Sequence, residues 1–336
     1  MNAPTSESER PSASRGLAEG VRGGSRRALA KAITLIESTR PDDLPLALAL
    51  LEELHPATGG SLRIGLSGAP GVGKSTLVEA LGLHVTRCGH RPAVLAIDPS
   101  SAITGGSVLG DKTRMEELSR TRAAFIRPSP SAGAPGGVTA RTPEAVELCE
   151  AGGFDVVIVE TVGVGQAETE VAGMTDAFVL LEAPFAGDGL QAIKRGSTEL
   201  ADIIVFTKAD LDPAAAAAAC ERMNDVLGLL RPVSSAWRSR AMTVSALTGQ
   251  GVAELWSELE RFRETLAAAG AFIERRRIQS VKRMWRLVDA ELRSGLVADS
   301  SVRKQLAHIE EAVAHGQMTP FTAANDLLVL AGLRSR

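Results

Sequence analysis

The spacing of apolar positions changes twice along the chain and divides it into three parts. Before residue 58, apolar residues recur every three or four positions, as in "RRALAKAITLIEST", which predicts short amphipathic helices. Between residues 59 and 266, brief apolar runs alternate with Gly-rich turns and helical stretches. After residue 267 only helical spacing remains, so this last part is predicted to be helical throughout.

The central part contains apolar runs that are too short for helices and that predict β-strands. Runs that are apolar on both faces and alternate with helices are typical of a parallel sheet covered on both sides. We therefore predict an α/β fold, in which a mostly parallel sheet carries helices on both faces. The predicted strands are residues 62–68, 92–98, 154–161, 176–183, 202–210 and 241–247.

These patterns predict four regions. Residues 1–22 are rich in Ser, Glu, Arg, Pro and Gly and are predicted to be disordered. Residues 23–58 are predicted to form an N-terminal helical extension, and residues 59–266 the α/β domain. Residues 267–336 are predicted to form a C-terminal helical arm.

The predicted arm begins with one long helix and continues with two shorter ones, near residues 300–314 and 319–333. The long helix has a single apolar stripe at steps of three and four. Its members are Ile278, Val281, Trp285, Val288 and Leu292.

Composition limits the class of protein. The chain has 336 residues, 44% of them hydrophobic, and a net charge of −3, which does not favour binding to nucleic acid through bulk charge. Its three cysteines are far apart, which favours reduced thiols in the cytosol. The N-terminal residues lack the apolar core of a signal peptide, and the longest apolar run is too short to cross a bilayer. We therefore expect a cytoplasmic protein without a membrane partner.

The strongest motif lies between the first predicted strand and a helical stretch. Residues 68–76, "GAPGVGKST", match the phosphate-loop pattern Gly-x-x-x-x-Gly-Lys-Ser/Thr. Glycines let successive backbone N–H groups point at phosphates, and the following helix adds its dipole. We predict that Lys74 bridges the β and γ phosphates and that the Ser75 hydroxyl holds Mg²⁺. The predicted phosphate-binding residues are Gly68, Ala69, Pro70, Gly71, Val72, Gly73, Lys74, Ser75 and Thr76.

Further ligands for Mg²⁺ are predicted at the carboxyl ends of strands, because this cation takes oxygen ligands. Asp98 and Glu160 each end an apolar run, and Asp111 lies in the segment "GGSVLGDKTRM". Acidic residues also end strands as helix caps or turn formers, which is the structural alternative for all three.

The segment "ETVGVGQ" follows the strand that ends in Glu160. Gly163 can offer a backbone N–H to the γ phosphate, but the next residue is Val164, where Ras-like GTPases have Gln, and the first Gln is Gln166. Positioning of the attacking water is therefore predicted to be incomplete in the isolated protein, and intrinsic hydrolysis to be slow and stimulated by a partner. The predicted catalytic residues are Lys74, Glu160, Gly163 and Gln166.

The segment "TKAD" resembles the guanine-binding motif Asn-Lys-x-Asp. The Asp210 carboxylate can accept from guanine N1–H and the exocyclic amine, whereas adenine offers an acceptor at N1. The alkyl stem of Lys208 can cover the ring. Thr207 replaces the usual Asn and keeps a hydroxyl but loses the amide, so we expect guanine selectivity with looser binding.

A second guanine-binding segment is predicted after the last strand. There, "VSAL" can present its backbone to guanine O6, and the predicted residues are Ser245, Ala246 and Leu247. Both base segments follow the phosphate loop in the order found in GTPases. Together they favour GTP over ATP as the nucleotide.

The strings "GAPGVGKST", "AIDPSS", "TGGSVLGDKTRM", "FIRPSPS", "ETVGVGQAE" and "GDGLQAIKRG" resemble the MeaB/ArgK family of P-loop GTPases. The resemblance covers nearly the whole chain after the first twenty or so residues. It implies a GTPase chaperone that gates cofactor loading and protects or reactivates an adenosylcobalamin-dependent mutase, such as methylmalonyl-CoA mutase. It also implies a homodimer formed through the C-terminal arm, and a magnesium site at Asp98, Asp111 and Glu160.

This sequence departs from the family at two positions. Thr207 replaces the expected Asn, and Gly189 stands where an acidic residue is expected in the family's additional mobile segment. The Gly189 departure puts in doubt any charged contact made by that segment, although Asp188 and Lys194 remain.

Two other functions stay open, and a third, a binding-only adaptor, is disfavoured because the predicted metal and phosphate residues are intact. Parts of this family have been described as ATP-dependent kinases of a basic amino-acid (LAO/AO) transport system. A nickel-delivery GTPase would have a similar fold, and His84, Cys88 and His90 lie close in sequence. Only His84 and Cys88 share a helical face, because Gly89 is predicted to end the helix, so a structural role is favoured for these residues.

Overall fold

The computed structural model describes residues 10–98, 115–130, 141–161, 167–184, 195–230 and 234–334. The chain divides into two compact units, Met1–Glu274 and Arg275–Arg336. The predicted boundary at residue 267 lies near the end of the helix Val252–Ala268, which belongs to the first unit. Asp111, Gly163, Gln166 and Gly189 lie outside the described residues.

A seven-stranded sheet forms the centre of the first unit, with the strand order β3-β2-β4-β1-β5-β6-β7. All its strand pairs are parallel, which confirms the predicted α/β fold. The strands are β1 (Leu62–Gly68), β2 (Pro92–Asp98), β3 (Phe125–Pro130), β4 (Val156–Glu160), β5 (Ala177–Glu182), β6 (Ile203–Phe206) and β7 (Arg240–Thr243).

Strand β3 was not among the six predicted strands. It contains Pro128 and Pro130. Proline lacks the backbone N–H with which a strand that has neighbours on both sides forms its hydrogen bonds. The structure places β3 at the edge of the sheet, where it pairs only with β2. An edge strand tolerates proline. The strand was missed because prolines within a residue pattern argue against a strand.

The apolar runs bury both faces of the sheet. Within β4, Val157 and Val159 belong to the hydrophobic core on one face, and Val156 and Ile158 to the core on the other. Successive side chains of a strand point to opposite faces, so a strand covered on both sides needs apolar residues throughout.

Helices cover both faces of the sheet. Thirteen α-helices are described, with two short 3₁₀ helices at Pro41–Asp43 and His55–Ala57. The helices of the first unit are α1 (Arg10–Arg22), α2 (Arg26–Ile36), α3 (Leu44–Leu54), α4 (Lys74–Arg87), α5 (Glu116–Arg120), α6 (Thr142–Ala151), α7 (Ala167–Ala172), α8 (Arg195–Leu200), α9 (Pro213–Leu229) and α10 (Val252–Ala268).

The prediction of disorder up to residue 22 is wrong for residues 10–22, which form α1. Its sequence is polar on average, but Ala18 and Val21 are fully buried, and Leu17 packs against the same core. A narrow apolar stripe is therefore enough to hold α1 on the protein, and its low overall hydrophobicity hid this stripe.

Three helices form the rest of the chain. They are α11 (Ala271–Ala298), α12 (Ser300–Ala314) and α13 (Pro320–Leu330). Asp299 caps α12 by accepting a hydrogen bond from Ser301 N at 2.8 Å, and Thr319 caps α13. These bounds confirm the long helix and two shorter helices that the spacing predicts.

Candidate nucleotide-binding site

The predicted site segments meet at one edge of the sheet. Strands β1, β4, β6 and β7 are parallel, so their carboxyl ends lie on the same side. Residues 68–76 follow β1, Glu160 ends β4, and residues 207–210 follow β6. In doubly wound α/β folds, ligands bind at this edge of the sheet.

The phosphate loop has the backbone shape that its glycines permit. Gly71 and Gly73 have φ angles of 77° and 100°, in the left-handed region that residues with a Cβ rarely adopt. Gly73 is the N-cap of α4, which begins at Lys74. Val72 is buried and holds the loop against the core. Helix α4 thus begins directly after the loop and without a side-chain cap, and the first N–H groups of a helix have no partner within it, which suits an anion.

The Lys74 ammonium lies against this loop. Its Nζ donates to the carbonyl oxygens of Gly68 at 2.8 Å and Ala69 at 3.1 Å. Burial lowers the pKa of Lys74 because it removes water from the charge, and the carboxylates of Glu160 and Glu168 oppose this effect. A positive charge is thus held at the loop by carbonyls that do not neutralise it.

Ser75 and Glu160 meet beside the phosphate loop. The Ser75 hydroxyl donates to Glu160 Oε1 at 2.8 Å, although the residues are 85 positions apart. Glu160 is 8% exposed, and a hydroxyl with a carboxylate is an oxygen donor set that suits Mg²⁺. Asp98 ends β2, which pairs with β4, but its side chain and all of Asp111 lie outside the described residues.

The predicted base segments also come together. Ser245 is fully buried, and its hydroxyl donates to Asp210 Oδ1 at 2.6 Å. Ala209 N donates to the Val244 carbonyl at 3.3 Å, which joins the two segments through the backbone. Of the other two predicted residues, Ala246 is half-buried and Leu247 is 81% exposed. Ser245 therefore orients the carboxylate that is predicted to bind guanine.

Thr207 connects the base segment to the phosphate loop. Its buried hydroxyl donates to the Val72 carbonyl at 2.6 Å and lies 3.3 Å from the Glu182 carbonyl. The sequence shows that Thr207 keeps a hydroxyl, but the acceptor lies 135 residues away and could not be identified from the pattern. Thr207, which stands in place of the usual Asn, thus forms a hydrogen bond between the base segment and the phosphate loop.

Lys208 is a second residue of the base segment that lies near the phosphate loop. It has a φ of 56°, and a Cβ built on Gly73 would lie 3.9 Å from Lys208 Cε. Lysine seldom adopts this backbone conformation, and such strain is found mostly where function requires a particular side-chain direction. The end of the Lys208 stem therefore lies close to Gly73 of the phosphate loop.

One contact beside the site was not foreseen. Glu168 and Ser197, in α7 and α8, are both buried, and the Ser197 hydroxyl donates to Glu168 Oε2. Glu168 belongs to the string "ETVGVGQAE", but the string gives no indication of its partner.

The histidines and cysteine of "HVTRCGH" do not converge on one point. His84 Nε2 lies 3.6 Å from Cys88 Sγ, as their helical spacing predicts. Gly89 follows with a φ of 93°, and His90 Nδ1 pairs with Asp155 Oδ2 at 2.7 Å and stacks edge-on against Trp256. His90 therefore has a structural partner away from His84 and Cys88.

Comparison with known proteins assigns the family. The profile described as "Methylmalonyl Co-A mutase-associated GTPase MeaB" matches residues 29–301. The chain belongs to the MeaB family. A relative, "Probable GTPase Rv1496" of Mycobacterium tuberculosis (strain ATCC 25618 / H37Rv), is 50% identical over 322 residues, which cover 96% of each chain. The "Methylmalonic aciduria type A homolog, mitochondrial" of Mus musculus is 44% identical and aligns with 93% of this chain and 78% of that protein.

A solved structure has a similar fold over nearly the whole chain. A crystal structure described as that of an "LAO/AO transport system kinase" is 35% identical, with a TM-score of 0.76, and the match covers 98% of this chain and 100% of that one. With the phosphate loop and the relatives named as GTPases, this identifies the chain as a P-loop GTPase that hydrolyses GTP. Among the described helices, none combines the length and apolar character needed to span a membrane.

Proposed function

We propose that this GTPase is a chaperone of an adenosylcobalamin-dependent mutase, with methylmalonyl-CoA mutase as the first candidate. In this role it gates cofactor loading and protects or reactivates the enzyme. The observation that carries the proposal is the family match over residues 29–301, since that family is described as mutase-associated.

The phosphate side of the site has the following proposed roles. Lys74 binds the β and γ phosphates together with the N–H groups of residues 68–76. Ser75, Asp98, Asp111 and Glu160 hold Mg²⁺, which when bound neutralises charge on the phosphate oxygens. The contact between Ser75 and Glu160 at 2.8 Å supports this assignment for two of the four.

Catalysis of hydrolysis is assigned to Lys74, Glu160, Gly163 and Gln166. Gly163 offers its N–H to the γ phosphate. Gln166 is the first glutamine after Gly163 in the sequence, and its side-chain amide is assigned to the attacking water. Because Val164 follows Gly163 directly, we infer that water is poorly positioned without a partner, so hydrolysis is slow until the mutase binds.

Asp210 and Lys208 are proposed to bind the guanine base, with the backbone of residues 245–247 facing guanine O6. The Asp210 carboxylate, fixed by Ser245 at 2.6 Å, accepts from two adjacent donors that guanine has and adenine lacks. Thr207 takes part by holding the base segment against the phosphate loop.

We also propose a cytoplasmic homodimer joined through the C-terminal helices, without nucleic-acid or membrane partners. The predicted stripe on α11 is exposed in the single chain, with Trp285 58% and Leu292 57% exposed. Contiguous exposed apolar surface of this kind marks interaction sites. Light scattering of the wild type and of Trp285→Asp tests this, and the variant is expected to be monomeric.

The alternative is an ATP-dependent kinase of an amino-acid transport system, the activity for which the similar crystal structure is named. The contact between Ser245 and Asp210 argues against it, because a carboxylate at the base edge suits guanine. Nickel delivery has less support, since His90 pairs with Asp155 rather than with His84 and Cys88.

The decisive experiment measures GTP and ATP turnover by the purified protein, alone and with the methylmalonyl-CoA mutase of the same organism. We expect slow GTP turnover, a faster rate with the mutase, and no ATP turnover. Lys74→Ala is the matched control, which should lower both the basal and the stimulated rate of GTP hydrolysis by about 10² to 10³. An ATP turnover rate that is the same with and without the mutase would contradict the proposal and favour the transport-kinase alternative.

A further inference from the structure

Two buried hydroxyl groups meet where the strands that lead to the phosphate loop and to Glu160 end. Ser67 is the residue before Gly68, and Thr161 is the residue after Glu160. They are 0% and 1% exposed. The Thr161 hydroxyl donates to Ser67 Oγ at 3.0 Å and lies 3.3 Å from the Leu66 carbonyl oxygen. The contact therefore joins the last residues of β1 to the residue that follows β4.

Backbone pairing of β1 reaches different points on its two sides. On the β5 side, the pairing continues as far as Gly68, which lies opposite Leu181. On the β4 side, the register ends where Leu66 lies opposite Glu160, and Thr161 N then donates to the Leu66 carbonyl at 3.0 Å. The contact between the two hydroxyls thus extends the connection between β1 and β4 by one residue, to the start of the phosphate loop.

The two hydroxyls differ in character from the strands that precede them. Every residue of β4 before Glu160 is valine or isoleucine, and β1 buries Leu62, Ile64 and Leu66. An apolar side chain at either position would avoid the cost of removing a hydroxyl from water. A hydrogen bond, unlike an apolar contact, fixes the distance and direction between the groups that it joins. The contact therefore points to a role in the geometry of the two strand ends.

The geometry that depends on these strand ends is that of the proposed magnesium ligands. The Ser75 hydroxyl donates to Glu160 Oε1 at 2.8 Å, and both oxygens are proposed to bind Mg²⁺. Ser75 lies in the first turn of α4, directly after the loop that begins at Gly68. The separation of the two ligands thus depends on where β4 ends relative to β1, and the hydroxyl contact fixes this position.

We propose that Thr161 and Ser67 are positioning residues that hold Glu160 at the separation from Ser75 that Mg²⁺ coordination requires. They act through Glu160 and are not ligands themselves. Loss of a residue that orients a metal ligand typically lowers metal affinity or activity by roughly 10- to 100-fold. The inference rests on the proposed metal site and adds the two residues that set its geometry.

Titration of the purified protein with fluorescently labelled GDP, in EDTA and over a range of Mg²⁺ concentrations, tests this inference. Thr161→Val replaces the hydroxyl by a methyl group of similar size. It should raise the Mg²⁺ concentration for half-maximal tightening of GDP binding by about tenfold and lower kcat for GTP to a similar degree. GDP affinity in EDTA should stay at the wild-type value, because the base side is unchanged. Thr161→Ser, which restores the hydroxyl, should recover the wild-type Mg²⁺ dependence.

A double-mutant cycle shows whether the two hydroxyls act as one unit. Ser67→Ala should have the same effect as Thr161→Val, and the double variant should lose no more than either single variant, because each change removes the same contact. Thr175→Val is the matched control. Thr175 is fully buried and donates to the Val171 carbonyl at 2.8 Å, but it precedes β5, at the opposite edge of the sheet. This control should keep the wild-type Mg²⁺ dependence and kcat even if it lowers the unfolding temperature.

The outcomes separate this inference from the proposed function. A wild type that responds to Mg²⁺, with the same Mg²⁺ dependence in Thr161→Val and Ser67→Ala, would overturn the inference alone. Additive losses in the double variant, or an equal loss in Thr175→Val, would also overturn it. If Thr161→Val does not fold, Ser67→Ala carries the same test. A wild type whose GDP affinity does not respond to Mg²⁺ would overturn the proposed metal site instead.

Discussion

The phosphate side and the base side of the site are built in different ways. The phosphate side is one continuous segment, residues 68–76, whose shape follows from its own glycines and the start of α4. The base side joins two segments, and it depends on hydrogen bonds from Ser245 to Asp210 and from Thr207 to Val72. Local sequence therefore sets the shape of the first, and tertiary contacts set the shape of the second.

This difference separates two properties of the enzyme. Changes on the phosphate side should alter turnover and leave base selectivity intact. Changes on the base side should alter affinity or selectivity and leave the chemical step intact once nucleotide is bound. The following substitutions test this separation, beginning with the largest expected effect.

Asp210→Asn should reverse base selectivity. The amide presents a donor where guanine also has a donor, so the preference for GTP over xanthosine triphosphate should fall by about 10⁴. Xanthosine triphosphate, which carries a carbonyl in place of the exocyclic amine, should become the better substrate. Turnover of both nucleotides by wild type and variant measures the effect, and unchanged GTP affinity in the variant would show that Asp210 does not contact the base.

Lys74→Ala should lower the rate of GTP hydrolysis by about 10² to 10³, because it removes a charged donor from the developing negative charge. The residual activity should still prefer GTP to ATP. Lys208→Ala, the matched loss of a lysine from the base side, should raise KM and leave kcat nearly unchanged. Equal effects of the two variants on kcat would contradict the separation of the two sides.

Thr207→Ala should weaken both stability and guanine binding. The Val72 carbonyl would lose its buried donor, which costs about 1–3 kcal/mol. Thermal unfolding and GDP titration measure the two effects, with Thr207→Ser as the control that keeps the hydroxyl. Thr207→Asn should bind GDP at least as tightly as the wild type, and weaker binding would indicate that the pocket has adapted to threonine.

Ser245→Ala should have the smallest effect. It removes one donor to the Asp210 carboxylate, which is worth about 1.5 kcal/mol, or roughly tenfold in guanine affinity. The loss should be the same for GDP and GTP, because Ser245 is on the base side. A loss seen only with GTP would mean that the two sides are coupled at this residue.

Much of the fold could be predicted from the sequence, because buried parallel strands and amphipathic helices have strong periodic patterns. Strand β3 and helix α1 were missed, since prolines conceal the first and a polar average conceals the second. The phosphate loop could be found because its residues are contiguous. The bond of Thr207 to Val72 and that of Ser197 to Glu168 could not, because only folding brings those partners together.

The most direct test of the account is calorimetric titration of the wild-type protein with GDP and with ADP in the presence of Mg²⁺. If Asp210 and its support from Ser245 bind the guanine base, GDP should bind about 10⁴-fold more tightly than ADP. Comparable affinities for the two nucleotides would contradict the account, since the base side of the site would then have no role in selection.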